Sequence, residues 1–169
     1  RSYEEPLGYP GDYEMVNMIL RDGYEGNSLF AKVVHGWFVK QPPAAAHRNR
    51  IKYLTNRIGL EAHRLACSGG TARIYNFACG PAVEVQDFFR SAYSEKVELT
   101  LADFNGETIE HTGRMLETIK NLLQLRTTVH FQKKTVHQLI KDRQRNIQSE
   151  KSKYDFVYCA GLFDYLSNN

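Results

Sequence analysis

The segment Ala72-Arg73-Ile74-Tyr75-Asn76-Phe77-Ala78-Cys79-Gly80-Pro81-Ala82-Val83-Glu84 constrains this chain more than any other. An apolar run suited to a strand leads into a lone glycine, and a proline follows at once. That order reads as a buried strand, a tight turn on Gly80 and a helix opening at Pro81, where a missing N–H costs nothing. A strand–turn–helix unit of this kind offers free backbone N–H groups to a ligand at the helix N-terminus. A second apolar strand, Val97–Ala102, ends in Asp103, about twenty residues after the turn. An acid at that tip can accept hydrogen bonds from both hydroxyls of a ribose. The two features together point to a nucleoside-containing ligand at the carboxyl edge of a parallel sheet.

The rest of the chain falls into two parts. Residues 69–169 alternate strand and helix: strands over 72–78, 97–102, 127–131 and 154–159, helices over 81–93, 106–124 and 135–146. Such alternation implies βαβ units with right-handed crossovers, hence an α/β, Rossmann-like, doubly wound and mostly parallel sheet. The strands at 72–78 and 154–159 read as apolar on both faces, as central strands are. Sheets of this type run to about five or more strands, so a core of about four strands reads as truncated at its C-terminus. Its last strand would then be an apolar edge that invites a homodimer.

Residues 1–68 read as a helical N-terminal segment that forms a lid or cap. Asp12 is placed to cap a short helix carrying Met15, Val16, Met18 and Ile19. Ser28 is placed to cap a second, with Leu29, Val33 and Trp37 on one face. Pro42-Pro43 stops that helix, and Pro43 suits the first position of a third, which Gly59 weakens in its middle.

Composition narrows the function classes. A net charge of +3 is too mild to imply nucleic acid or a membrane surface. No apolar run approaches the roughly 20 residues of a membrane span. Cys67, Cys79 and Cys159 are too widely spaced for a disulfide framework or a zinc knuckle, which fits a reducing, cytoplasmic setting. The six histidines follow no ligand spacing, so no metal site is expected.

Three stretches resemble the class I S-adenosylmethionine-dependent methyltransferases. Asn76–Ala82 resembles their glycine-rich first motif, Leu101–Asn105 their second, and Tyr154–Leu166 their fourth. The resemblance covers about residues 70–166, and it departs from the family in places. Asn76 stands where an acid is usual, and Ala78 and Ala82 stand where glycines are usual. Phe131–Thr135 lacks the acid that meets the adenine amino group. The resemblance implies S-adenosyl-L-methionine as cofactor. Gly80 and Ala78 would admit its methionine part, with Cys79 and Pro81 in the turn and Asn76 and Glu84 orienting the amino-acid end or bracing the loop. Asp103 would hold the ribose, and Phe104 and Asn105 would flank the adenine. Lys134 or Thr135 would replace the missing acid through the backbone, and Ala160, Gly161 and Leu162 would line the sulfonium side.

A narrower likeness lies in Gly8–Met18 together with Gly161–Tyr165. It is similar to the bacterial methyltransferases of extracellular-factor 3-hydroxypalmitic acid methyl ester biosynthesis. That implies a small-molecule acceptor, the carboxylate of a 3-hydroxy fatty acid. Tyr9, Asp12 and Tyr13 would form a lid, and Phe163, Asp164 and Tyr165 would meet the acceptor. A carboxylate is already ionised near neutral pH and needs no general base, so no residue is assigned a catalytic role. Cys79 packs as a small apolar group.

Four other readings compete. A nucleic-acid methyltransferase would use the basic stretch at 132–153, but Cys159-Ala160-Gly161-Leu162 stands where base-amine enzymes carry an Asn/Asp-Pro-Pro-aromatic motif. Another is a non-catalytic cofactor-binding fragment, or an enzyme for another small molecule. An NAD-dependent oxidoreductase fits poorly, because Ala78 occupies the first glycine of the dinucleotide fingerprint.

Overall fold

The computed structural model describes residues 13–145 and 154–162. The calls on Tyr9, Asp12, Phe163, Asp164 and Tyr165 lie outside the described residues. The chain divides into two compact units, residues 1–54 and 55–169, and the division falls within a helix.

In the first unit α1 spans Tyr13–Arg21, α2 spans Leu29–Val39, and α3 starts at Pro42. Ser28 caps α2 as its position predicts, its Oγ accepting from the Ala31 N–H at 3.1 Å. Helix ends leave carbonyls without partners. Here Arg48 supplies them, donating to the carbonyls of Ile19 at 3.2 Å and Val39 at 2.9 Å. Helix α3 runs unbroken from Pro42 to Cys67. Pro42, not Pro43, is its first residue, and Gly59 does not interrupt it.

The second unit carries the sheet. Strands β1 (Ala72–Phe77), β2 (Val97–Asp103), β3 (Thr128–Lys133) and β4 (Phe156–Cys159) lie in the order β3-β2-β1-β4, all parallel. Helices α4 (Val83–Phe88), α5 (Gly106–Leu123) and α6 (Val136–Arg145) connect them. This is a Rossmann-like α/β arrangement preceded by a helical segment. Strand β1 starts a walk through β2 to β3, and the chain then returns to its other side as β4. That reversal is a topological switch point.

Strand alternation sorts the core into two faces. Ile74, Leu99 and Leu101 are fully buried on one face, each contributing about 1.5–3 kcal/mol. Val85 and Phe88 of α4 and Leu116 of α5 are buried as well. On the other face Tyr75, Phe77 and Ala102 form a cluster, packed by Val136 and Leu139 of α6 and by Tyr154. The expectation that β4 is a central strand does not hold among the described residues, where it stands at the sheet edge that the truncated reading implied. Among the described residues β4 pairs with β1 alone, and Val157 is 60% exposed.

A second correction concerns α4. It opens at Val83, not Pro81, and ends at Phe88, not near residue 93. Two residues go into the turn first: the Ala82 N–H bonds to the Cys79 carbonyl at 3.0 Å, and Ala82 takes a left-handed conformation. Beyond Phe88 the chain leaves the helix through short turns, including Ser91 N–H to Phe88 carbonyl at 2.8 Å.

Strands β1 and β4 are locked to α4 by a buried carboxylate. Glu84 Oε1 accepts from Asn76 Nδ2 at 3.0 Å and from the Tyr158 hydroxyl at 2.8 Å. The Thr55 hydroxyl of α3 donates to the Glu84 carbonyl at 3.1 Å. Burial first, and then the neighbouring Glu84, push the Tyr158 phenol well above its ordinary value, so it stays a donor. Tyr158→Phe keeps the ring and deletes that donor. It is expected to cost about 1–3 kcal/mol, read in urea denaturation as a lowered midpoint with an unchanged slope.

Candidate functional site

The parallel register brings four chain segments to one edge. Phe77 lies between Ala102 and Cys159, and Asp103 lies beside Lys133. Residues 78–82, 104–105, 134–135 and 160–162 therefore all leave the sheet at its carboxyl edge, where ligands bind in open α/β sheets. Ala78 of the first segment and Leu162 of the fourth both pack on the Tyr75–Phe77–Ala102 cluster.

The centre of this edge is the Gly80 turn, which is clamped from two sides. The Gly80 N–H donates to Asp103 Oδ2 at 3.1 Å, and the Gly80 carbonyl accepts from the Thr112 hydroxyl of α5 at 2.7 Å. The Cys79 N–H bonds to the Ala102 carbonyl at 3.0 Å. With Ala82 also bonded and Pro81 lacking an N–H, the turn keeps no free amide between residues 79 and 82. The expected row of free N–H groups is absent there, because the protein uses them to hold the turn's shape.

That shape is strained. Ala78, Gly80 and Ala82 have φ of 54°, 52° and 46°. Only glycine adopts this region freely, and each alanine there costs about 1–2 kcal/mol. The two alanines thus hold backbone conformations that glycine adopts without steric cost. Strain of this kind persists where surrounding structure over-determines it and collects at functional sites. Gly80 also faces open space: a Cβ built on it would meet no atom within 4 Å.

Asp103 is 5% exposed and bridges two loops. Its Oδ2 holds Gly80, while its Oδ1 accepts from the Asn105 N–H at 3.0 Å. Burial raises its pKa above the ordinary 3.8, and the N–H groups of Asn105, Gly80 and Phe104 partly oppose that rise. A carboxylate has about four acceptor positions, so these three N–H groups leave one for a further donor. Helix α5 is capped by Asn105, whose Oδ1 accepts from Glu107 and Thr108 N–H at 2.8 and 3.4 Å. Phe104 is 48% exposed beside it.

Lys134 and Thr135 are both committed. The Lys134 N–H bonds to the Asp103 carbonyl at 2.9 Å and its Nζ pairs with Asp142 at 2.8 Å. Thr135 and Gln138 form a capping box for α6, with Thr135 N–H to Gln138 Oε1 at 2.9 Å. Burial pushes the Cys79 thiol well up, with Asp103 and Glu84 adding to it, so Cys79 carries no thiolate for chemistry. Burial also raises Cys159. Gly161 follows β4 with φ of 102°. Tyr13 is buried in the first unit.

Sequence reasoning missed Thr112 and Tyr158. Thr108 and Thr112 are fully buried one turn apart on α5. Two polar residues at i, i+4 on a helix's inward face are the signal that could have marked Thr112.

No protein-family model matches the chain. No curated protein matches it. Among solved structures, a Bordetella parapertussis protein described as a possible exported protein is similar at a TM-score of 0.59 and 14% identity, over 89% of this chain and 43% of that one. The plantazolicin methyltransferase BpumL in complex with SAH is similar at 0.36 and 13% identity, over 86% of this chain and 47% of that one. BpumL with a monoazolic desmethylPZN analog and SAH gives 0.35 and 13%, over 85% and 48%. The chain spans less than half the length of each. At these identities the likeness is one of fold, and the Bordetella structure shares the α/β arrangement described above.

Proposed function

We propose that this chain is the cofactor-binding part of an S-adenosylmethionine-dependent methyltransferase. The observation that carries the reading is the clamped, strained Gly80 turn, open on its ligand side and bonded to a buried carboxylate at the next strand tip. Those residues fit the cofactor. A zwitterionic amino acid joined to adenosine needs close backbone approach at one end and an acceptor for a diol at the other. Gly80 and Ala78 provide the first, and Asp103 the second. Exposed Phe104 offers an aromatic face to the adenine. Asn76 and Glu84, joined by a buried hydrogen bond at 3.0 Å, brace the turn. Ala160, Gly161 and Leu162 would line the sulfonium side.

When bound, the cofactor supplies a methyl group on a sulfonium that an in-line nucleophile can take. The chain's part is to fix the geometry and exclude water. The motif likeness around Gly8–Met18 and Gly161–Tyr165 favours a small-molecule carboxylate, such as a 3-hydroxy fatty acid, as acceptor. Its anion would need no base.

Isothermal titration with S-adenosylmethionine and S-adenosylhomocysteine tests the reading. Both should bind, and each should displace the other. Asp103→Ala should weaken them at least about tenfold, since a bond to a charged group contributes about 1.5–3 kcal/mol. Thr112→Val, which removes a neutral donor to the Gly80 carbonyl, should weaken them several-fold. A folded chain that takes up neither ligand refutes the reading.

Affinity should also fall on acidification. Asp103 must stay ionised to accept from a diol, and its pKa is raised by burial. The loss should therefore begin above the pH at which an ordinary aspartate titrates, and Asp103→Asn should remove that pH dependence. In folding the same shift has the opposite sign. The stabilisation it contributes is present below the unfolded pKa and lost as pH rises through the folded one.

If the acceptor is a carboxylate, methyl transferred from labelled cofactor to 3-hydroxypalmitate should be released as methanol in mild alkali. An alkali-stable product would point to another acceptor group.

A further inference from the structure

Helix α2 is apolar nearly all round, and its outward side is the more apolar one. Gly36 and Val39 are buried, and the Tyr24 ring packs so tightly on Gly36 that a Cβ there would clash. The opposite side exposes Leu29 (80%), Phe30 (78%), Val33 (58%), Val34 (47%), Trp37 (65%) and Phe38 (44%). At 3.6 residues per turn these six residues cover roughly half the helix circumference. A helix that is hydrophobic all round is ordinarily a buried one. Monomeric proteins rarely expose a contiguous apolar patch above a few hundred Å².

We propose that this face of α2 docks a second copy of the chain. Two observations select that occupant. The six residues expose on the order of 700 Å², so two such faces in contact would bury roughly 1,400 Å², within the range of a stable interface. The face is also self-complementary. Its bulky residues sit at both ends, Leu29 and Phe30 at one and Trp37 and Phe38 at the other, with the smaller Val33 and Val34 between them. Two antiparallel helices can cross closely at the valines and lay each aromatic end over the other copy's leucine end. The resulting contact is isologous.

Charge speaks against a lipid surface. Lys32 is the one charged residue of α2, whereas interfacial helices carry a strongly basic polar face.

Analytical ultracentrifugation of the chain across a dilution series tests this. The wild-type chain should sediment at twice the mass of one chain. Trp37→Glu and Phe30→Glu should each sediment as one chain at the same concentration, with unchanged far-UV circular dichroism. If either variant misfolds, Val34→Cys replaces it: mild oxidation should give a reductant-sensitive dimer beyond that of the wild type. A wild-type chain that is monomeric throughout overturns the proposal, as does flotation with anionic vesicles in place of self-association. A dimer that persists in both glutamate variants and gains no crosslink at residue 34 overturns it too.

Discussion

One residue organises the carboxyl edge of this sheet. The Gly80 amide is held by a carboxylate from the end of β2, and its carbonyl by a hydroxyl from the middle of α5. A turn after a strand has many accessible shapes, and fixing them costs roughly 1–2 kcal/mol of backbone entropy per residue. The two side-chain bonds select one shape. They also tie three elements of the unit, β1, β2 and α5, to a single point.

That constraint accounts for the strain beside it. Ala78 and Ala82 are held in left-handed conformations on either side of Gly80, a cost the turn sustains because its ends are fixed by the Cys79–Ala102 bond and by the Glu84 lock on α4. The buried charge of Asp103 is likewise tolerated because backbone N–H groups converge on it. Burial still wins, and the raised pKa records that balance. An anionic acceptor held ready at a partly dehydrated edge is stronger towards an incoming donor than the same group in water.

Much of this was legible in the residues. Strand runs alternating with helical spacing announced the parallel sheet, and its two central strands, β1 and β2, read as near-continuous apolar runs. Ser28 declared itself as a cap, and Gly80 and Asp103 marked two strand ends. Other features were illegible for physical reasons. The helix start was misplaced because Pro81 suits a first helical position, whereas the left-handed Ala82 that delays the helix has no signature in an alanine. Asp103 and Asn105 are both capping residues two positions apart, and only the fold decides which one caps. The Thr135–Gln138 box could have been read from its spacing. Thr112 could not be tied to Gly80 at all, since the bond closes over 32 residues and depends on the α5 crossover. Tyr158 meets Glu84 for a similar reason, across β4 and α4.

The most direct test of the clamp is the amide proton of Gly80, followed by nuclear magnetic resonance through an acid titration. If Asp103 holds that amide, its shift tracks protonation of the carboxyl, with a midpoint above 3.8. The same resonance then moves when S-adenosylmethionine is added. A Gly80 amide that passes through the titration unmoved, or that moves equally in Asp103→Asn, would contradict the account.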